Sequence, residues 1–339
     1  YTWNDRNEPS VFNGPEISMP RDNLHSCHTG TYGVEHRDIH NMYGFYHHGA
    51  SVQGQLRRAP DVRPFVLTRS FFAGSHRHGP VWTGDNMCRW DHLARSVPML
   101  VSLAMCGLSF AGADVPGFMG DPSPELFQRW HQLGIWYPFY RGHAHLTTKR
   151  REPWLFGEAT TSIVRDAVLA RYQLLPMWYT LIAEWVTQGL PILRPLWYHS
   201  LGDRPSYRHG DDHFHVGESV LVRAITAPGA KAVEVYLPPG EWFPYWRPAA
   251  GPVQGGRTVT EVADPAHVPV YVRSGHIIAK KARPRRSVAA MARDPYTLEV
   301  YGAPARGRLY VDDGSSQEFE GGAFIYDSLA FNGTVLSMA

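Results

Sequence analysis

Two rhythms of apolar and polar positions divide the chain. Through the first half, short apolar runs at residues 63–69, 80–83, 108–111 and 136–140 read as strands. Between them, apolar residues recur at helical spacing from Asp91 onward and over residues 124–133. They recur most clearly over 162–188, where Ile163, Val164, Ala167, Val168, Tyr172, Leu175 and Trp178 share one face. Strands alternating with helices predict a parallel sheet. From about Arg194 the pattern changes. Runs at 216–222, 232–237, 268–272, 296–301, 307–311 and 323–326 alternate apolar with polar and are punctuated by Gly and Pro. That is the pattern of an antiparallel β-sandwich. The basic, proline-containing stretch 279–292 reads as a seam between two small β-domains.

Each early run ends in polar residues: Asp5, Arg69, Asp85, Asp114, then Arg141 and His143. Polar residues at successive strand C-termini mark a (β/α) barrel, whose active site is built there. Five ends are counted and a closed barrel needs eight. The others are expected ahead of Tyr1, because the region after Gln188 changes character. The expected fold is therefore α/β: the C-terminal part of a (β/α)8 TIM barrel followed by two small antiparallel β-sandwich domains. The boundaries fall at 1–192, 193–282 and 283–339.

A chain of 339 residues is long enough for two or three domains and a large core. Charged residues are 19% and aromatics 13%. This balance suits a cleft where rings stack on sugar faces, although a tryptophan-rich core accounts for most single rings. A net charge of +2 leaves no nucleic-acid footprint. The basic run from Lys280 to Arg286 has the composition of a nuclear signal, but a solvated loop is the simpler reading. Cys27, Cys88 and Cys106 are too few and scattered for a disulfide framework or a zinc site. Cys106 lies in an apolar run and is expected to be buried and inert. The longest uncharged stretch, 96–113, is interrupted by Pro98, Gly107 and Gly112. It reads as a buried helix and strand rather than a membrane span. The chain does not open on Met, so the lack of a visible leader says little about location. Asn332-Gly333-Thr334 is a glycosylation acceptor pattern.

The chemistry concentrates on two carboxylates. Asp5 follows Trp3-Asn4, and Asp85 follows Trp82-Thr83-Gly84. Glycoside hydrolysis passes through an oxocarbenium-like transition state. One carboxylate attacks or stabilises the anomeric carbon and one carboxylic acid protonates the leaving oxygen. On adjacent strand ends, inward-facing carboxylates stand ~5–5.5 Å apart in the retaining arrangement. Burial beside Trp3 and Trp82 would raise the pKa of the acid. His143 and His145 alternate as metal ligands on a strand might, without a third ligand, and His36 and His40 sit one helical turn apart but lack the Glu that a zinc-peptidase pattern places directly after the first His. His25-Ser26-Cys27-His28 reads as plain loop.

These segments resemble glycoside hydrolase family 31, in its glucosidase II and neutral α-glucosidase branch. The likeness covers nearly the whole chain. It is carried by Trp3-Asn4-Asp5-x-Asn7-Glu8-Pro9-Ser10, Trp82-Thr83-Gly84-Asp85-Asn86, Gly112-Ala113-Asp114-Val115-x-Gly117-Phe118 and Pro138-Phe139-Tyr140-Arg141-x-His143-Ala144. The segments Glu35-His36-Arg37-Asp38-x-His40-Asn41 and Thr148-Lys149-Arg150-Arg151-Glu152-Pro153-Trp154 point to the branch. The resemblance implies Asp5 as nucleophile and Asp85 as general acid/base. Arg69, Asp114 and His143 would bind sugar hydroxyls, Trp3, Trp82 and Phe118 would form apolar walls, and Glu8 would support the nucleophile loop. It implies a retaining α-glucosidase that trims terminal glucose from an α-glucoside or a glucosylated N-glycan. The setting implied is the endoplasmic reticulum lumen, with a regulatory β subunit, no cofactor and no metal. Two residues depart from the family pattern: Arg6 stands where Met is usual and Pro116 where Gly is usual. The guanidinium of Arg6 either crowds Asp5 or points away along the strand. The family's N-terminal β-rich region and first barrel strands have no counterpart in this sequence. The rival readings are an inactive fragment or pseudoenzyme that binds sugar or a partner chain, and an α-xylosidase, transglycosylase or lyase using the same carboxylates.

Overall fold

The structure is a computed structural model that describes residues 1–7, 9–14, 17–26 and 33–339. The expectations placed on Glu8, Cys27 and His28 lie outside the described residues.

Four short strands run parallel in one sheet: Thr2–Asn4, Val66–Thr68, Val81–Trp82 and Ala111–Gly112, in that order. A further parallel pair, Asp114–Val115 with Arg141–Gly142, follows directly. The strand expected at 136–140 is instead an irregular turn. Pro138 has no N–H to give a ladder. The carbonyls of Ile135, Tyr137 and Pro138 accept from the Arg171 guanidinium at 2.8, 2.7 and 2.7 Å.

Five helices flank these strands. The longest, α1 (His36–Arg58), was not legible in the apolar pattern. Its buried positions are His36, Gly44, His48 and Val52, and only the last carries a large apolar side chain. Helices α2 (Trp90–Met105) and α3 (Pro124–Gly134) fall where the spacing puts them. Ser123 caps α3 by accepting from Leu126 N at 3.2 Å, ahead of a proline that needs no donor there. The single helix expected at 162–188 is two, α4 (Glu158–Gln173) and α5 (Leu175–Gln188). Pro176, in the first turn of α5, lacks the N–H that a continuous helix would need. Stretch 96–113 is the end of α2 followed by a buried strand, and no helix of the described residues is long and apolar enough to cross a membrane.

The second half is antiparallel, as expected, except that His276–Lys280 and Ala305–Val311 pair parallel. A proximal sheet of six strands runs from Val253–Gln254 at one edge to Leu193–Arg194 at the other. The run at 216–222 is not one strand but the turn of a hairpin, His213–Val216 with Val220–Arg223. It reverses at Gly217, whose φ of +62° a side chain would strain. A distal sheet of five strands includes His276–Lys280, ahead of the seam expected at 279–292.

The barrel segment and the proximal sheet share one core. Trp136 sits edge-on to Tyr245 and Trp246, with centroids 5.7 and 6.4 Å apart. Arg129, buried on α3, donates to the carbonyls of Ala263, Asp264 and His267 at 3.2, 2.5 and 3.3 Å. The distal sheet has its own small cluster of Ile277, Ala279, Ala305, Leu309 and Leu329. It is tied back through Asp312, which takes Arg63 Nη2 at 2.8 Å, Tyr179 Oη at 2.5 Å and Tyr310 Oη at 3.0 Å.

Two local expectations fail. Cys106 is exposed, because it caps the C-terminus of α2 rather than facing its core side. Lys281 is not a solvated loop residue. It is buried, and its Nζ donates to the carbonyls of Met291, Ala292 and Asp294 at 2.7, 2.8 and 2.9 Å.

Candidate active site

The strand C-termini gather the polar residues expected there. Arg69 is central. Its Nη1 donates to Asp5 Oδ1 at 3.1 Å and its Nη2 lies 3.4 Å from Asp85 Oδ2. The two carboxylates thus share one cation. They do not come from neighbouring strands: Val66–Thr68, which carries Arg69, lies between them. Two interstrand spacings put their backbones roughly 10 Å apart, so the side chains must converge to face one substrate. Gly84 lets Arg69 lie flat across this gap. Its φ is +81°, and a Cβ there would come within 3.2 Å of Arg69 Nε.

Asparagines pin both carboxylate segments. Asn7 is buried; its Nδ2 donates to Thr68 Oγ1 at 2.7 Å and its Oδ1 accepts from Ser70 N at 2.9 Å. It therefore ties the loop bearing Asp5 to the strand end bearing Arg69. Asn86 works in the same way: its Nδ2 donates to Asp114 O at 3.0 Å and its Oδ1 accepts from Phe118 N at 2.9 Å. Both amides lie one or two positions after a carboxylate, which is the signal that could have marked them as supports.

Arg6 settles away from the site. Its backbone has φ +54°, its N–H donates to Asp5 Oδ1 at 2.9 Å, and its guanidinium lies over the Phe12 ring at 5.1 Å. A non-glycine residue in the left-handed region is uncommon and marks a forced turn. Here the turn aims a backbone donor at Asp5.

Asp114 is buried and pairs with Arg141 Nη2 at 2.6 Å, while its Oδ2 has no partner among the described residues. Burial pushes its carboxyl up from the ordinary value, against the pull of Arg141. Asp85 is a quarter exposed against Arg69 rather than enclosed by indoles. His143 stacks on Phe118 at 5.0 Å and meets Trp3 edge-on at 5.3 Å. Burial and the nearby Arg141 hold its imidazole below the ordinary value, so it is neutral at neutral pH. Trp3 is 47% exposed and Trp82 is fully buried, 5.8 Å apart as rings. Trp3 can offer a face to a ligand, while Trp82 acts from behind. Arg141, given no role of its own in the sequence reading, lies over Trp3 and Trp82 at 5.3 and 5.4 Å. Arg151 gathers the carbonyls of Gly117, Phe118, Gly120 and His143, and so holds the loop that carries Phe118. No sequence signal pointed to that clamp.

Among the described residues, one group has metal-ligand spacing: His209, Asp212 and His213. It does not fit a cation. His213 Nε2 accepts from Tyr236 N at 3.0 Å, so its Nδ1 carries the proton facing Asp212 at 2.6 Å. Arg223 holds the other Asp212 oxygen at 2.9 Å. A protonated nitrogen has no lone pair for a metal. His36 spends its two nitrogens on His25 and His40, at 3.0 and 2.7 Å.

The family described as glycosyl hydrolases family 31 TIM-barrel domain matches residues 1–181, and the family 31 C-terminal domain matches residues 189–278. The chain is 49% identical to a probable glucan 1,3-alpha-glucosidase of Oryza sativa subsp. japonica, over 98% of this chain and 36% of that one. It is 46% identical to neutral alpha-glucosidase AB of Dictyostelium discoideum, over 100% of this chain and 36% of the relative. A crystal structure of an ER glucosidase II heterodimeric complex, of catalytic subunit and the binding domain of regulatory subunit, superposes with a TM-score of 0.92. It is 43% identical and covers 99% of this chain and 37% of its own. The chain thus spans about a third of the length of these relatives.

Proposed function

The chain belongs to glycoside hydrolase family 31, and from that premise we propose that it carries the catalytic carboxylates of a retaining α-glucosidase. Asp5 attacks the anomeric carbon and Asp85 protonates the leaving oxygen. Water, deprotonated by Asp85, then releases the sugar from Asp5. The observation that carries the assignment is the single guanidinium of Arg69 touching both carboxylates. It brings two groups 80 positions apart in sequence to one point. As charge develops on the sugar, hydrogen bonds to charged groups strengthen more than neutral ones. Asp114, with one oxygen unpartnered among the described residues, is placed to accept from sugar hydroxyls, as is neutral His143. Trp3 and Phe118 supply apolar walls. The reaction calls on carboxylates and water alone.

The names of the relatives support terminal α-linked glucose as the group removed. In this reading the substrate is a glucosylated N-glycan, the location the endoplasmic reticulum lumen, and the partner a regulatory subunit. The barrel portion ends near residue 192. In this reading the junction between the two β-domains lies near Gly275, a placement supported by the pairing of His276–Lys280 within the distal sheet.

The test is hydrolysis of an aryl α-glucoside by the chain and by the complete protein, with the first-formed anomer read by NMR. Asp5→Ala and Asp85→Ala should each lower kcat on the order of 10³-fold or more, and the first product should be the α anomer. A β first product, or activity that survives Asp5→Ala, overturns the assignment.

A further inference from the structure

A second concavity lies away from the carboxylates, where α5, the proximal sheet and the distal sheet meet. Its volume is about 760 Å³, and it shares no lining residue with the candidate active site. Small-molecule sites span roughly 300–1,000 Å³. The floor is apolar, with Leu181 of α5 opposite Ile277 and Leu329 of the distal sheet.

The rim carries both signs of charge in two pairs with the same spacing. Glu184 Oε1 stands 3.8 Å from Arg308 Nη1, and Glu218 Oε1 stands 3.8 Å from His276 Nε2. That is beyond hydrogen-bond length, so neither pair closes on itself. The first pair is bridged by a hydroxyl from this chain. Tyr326 Oη accepts from Arg308 Nη1 at 2.8 Å and donates to Glu184 Oε1 at 3.2 Å. The second pair has the same gap, and no side chain among the described residues fills it. The His276 ring is fixed by its Nδ1, which donates toward Arg273 O and Ser274 O at 3.2 and 3.3 Å.

Hydroxyls suit both pairs: one that donates and accepts at once fits between Glu184 and Arg308, and two neighbouring ones can donate to Glu218 and to His276 Nε2, which both accept. An anion would meet Glu184 and Glu218, and a cation would meet Arg194, Arg306 and Arg308. A ligand that is neutral, rich in hydroxyls and apolar on one face satisfies both the floor and the rim. We propose that this junction cavity is a second carbohydrate-binding site, taking a neutral oligosaccharide whose neighbouring hydroxyls donate one to Glu218 and one to His276 Nε2, as the Tyr326 hydroxyl donates to Glu184. It stands independently of the hydrolytic assignment.

The probes are maltotriose and an α-linked mannotriose, titrated separately into the chain while the ring signals of His276 are followed by NMR. One of them should shift those signals saturably, and the one that does names the sugar class. Glu218→Ala, at a mostly exposed side chain, should weaken that binding tenfold or more, as loss of a charged hydrogen-bond partner does. Asp5→Asn should leave it unchanged. The proposal fails if neither sugar moves His276, if Glu218→Ala binds as tightly as the parent, or if Asp5→Asn abolishes the response.

Discussion

Asn7 shows how much of a carboxylate's placement rests on a neighbour that does no chemistry. Both ends of its amide are used in the interior, on Thr68 and Ser70. Asn7→Ala should cost about 2 kcal/mol, because Ser70 N–H and the Thr68 hydroxyl lose a buried partner. It should also lower kcat more than it raises KM, since it frees the loop carrying Asp5. Denaturant unfolding together with steady-state kinetics checks both; unchanged kinetics with lost stability would make Asn7 a purely structural residue. The reverse substitution of a departure, Arg6→Met, should change kcat little, because the guanidinium points to Phe12 and only the backbone N–H meets Asp5. A large gain in turnover would show that the side chain reaches the sugar.

At the level of elements, legibility followed periodicity. The strands at 66–68 and 81–82 and helices α2 and α3 announce themselves through apolar spacing, and the ends of those two strands placed Arg69 and Asp85. Helix α1 did not, because its inner face is built from histidine and glycine. The break at Leu174 was hidden by an apolar face that continues through it, although Pro176 was in plain view. The turn at 136–140 looked like a strand because aromatic residues favour strands. What decides its shape is Arg171, 31 or more positions away and invisible to any local window. That residue is half-buried and stacks on Trp178 at 4.1 Å; desolvation lowers it to about 9, which leaves it charged at neutral pH. Arg171→Met should therefore strip three carbonyls of their donor and cost about 3 kcal/mol. Thermal unfolding would measure the loss. Disorder around Phe139 and Arg141, seen as faster amide exchange there, should accompany it.

The whole molecule carries a set of enclosed histidines that make it acid-sensitive. Burial depresses His48, His131 and His213 to about 4 and His215 to about 3. In the unfolded chain the same rings charge near 6.5. Between those values the unfolded state binds more protons, so stability must fall as the pH drops from about 6.5 toward 4. The midpoint of thermal unfolding, followed from neutral pH downward, should decline through that window; a flat profile would mean the rings are hydrated. Domain order and strand-end chemistry were legible at this scale, since both follow from residue alternation. The single core beneath the barrel segment and the proximal sheet was not, because contacts such as Trp136 with Tyr245 and Trp246 join residues more than 100 positions apart. That shared core also bears on heredity. A crossover between relatives near residue 190 would pair one parent's Trp136 and Arg129 with another's Tyr245, Trp246 and the 263–267 turn. Such hybrids would mostly inherit a mismatched interior, so the two halves are expected to pass between lineages together.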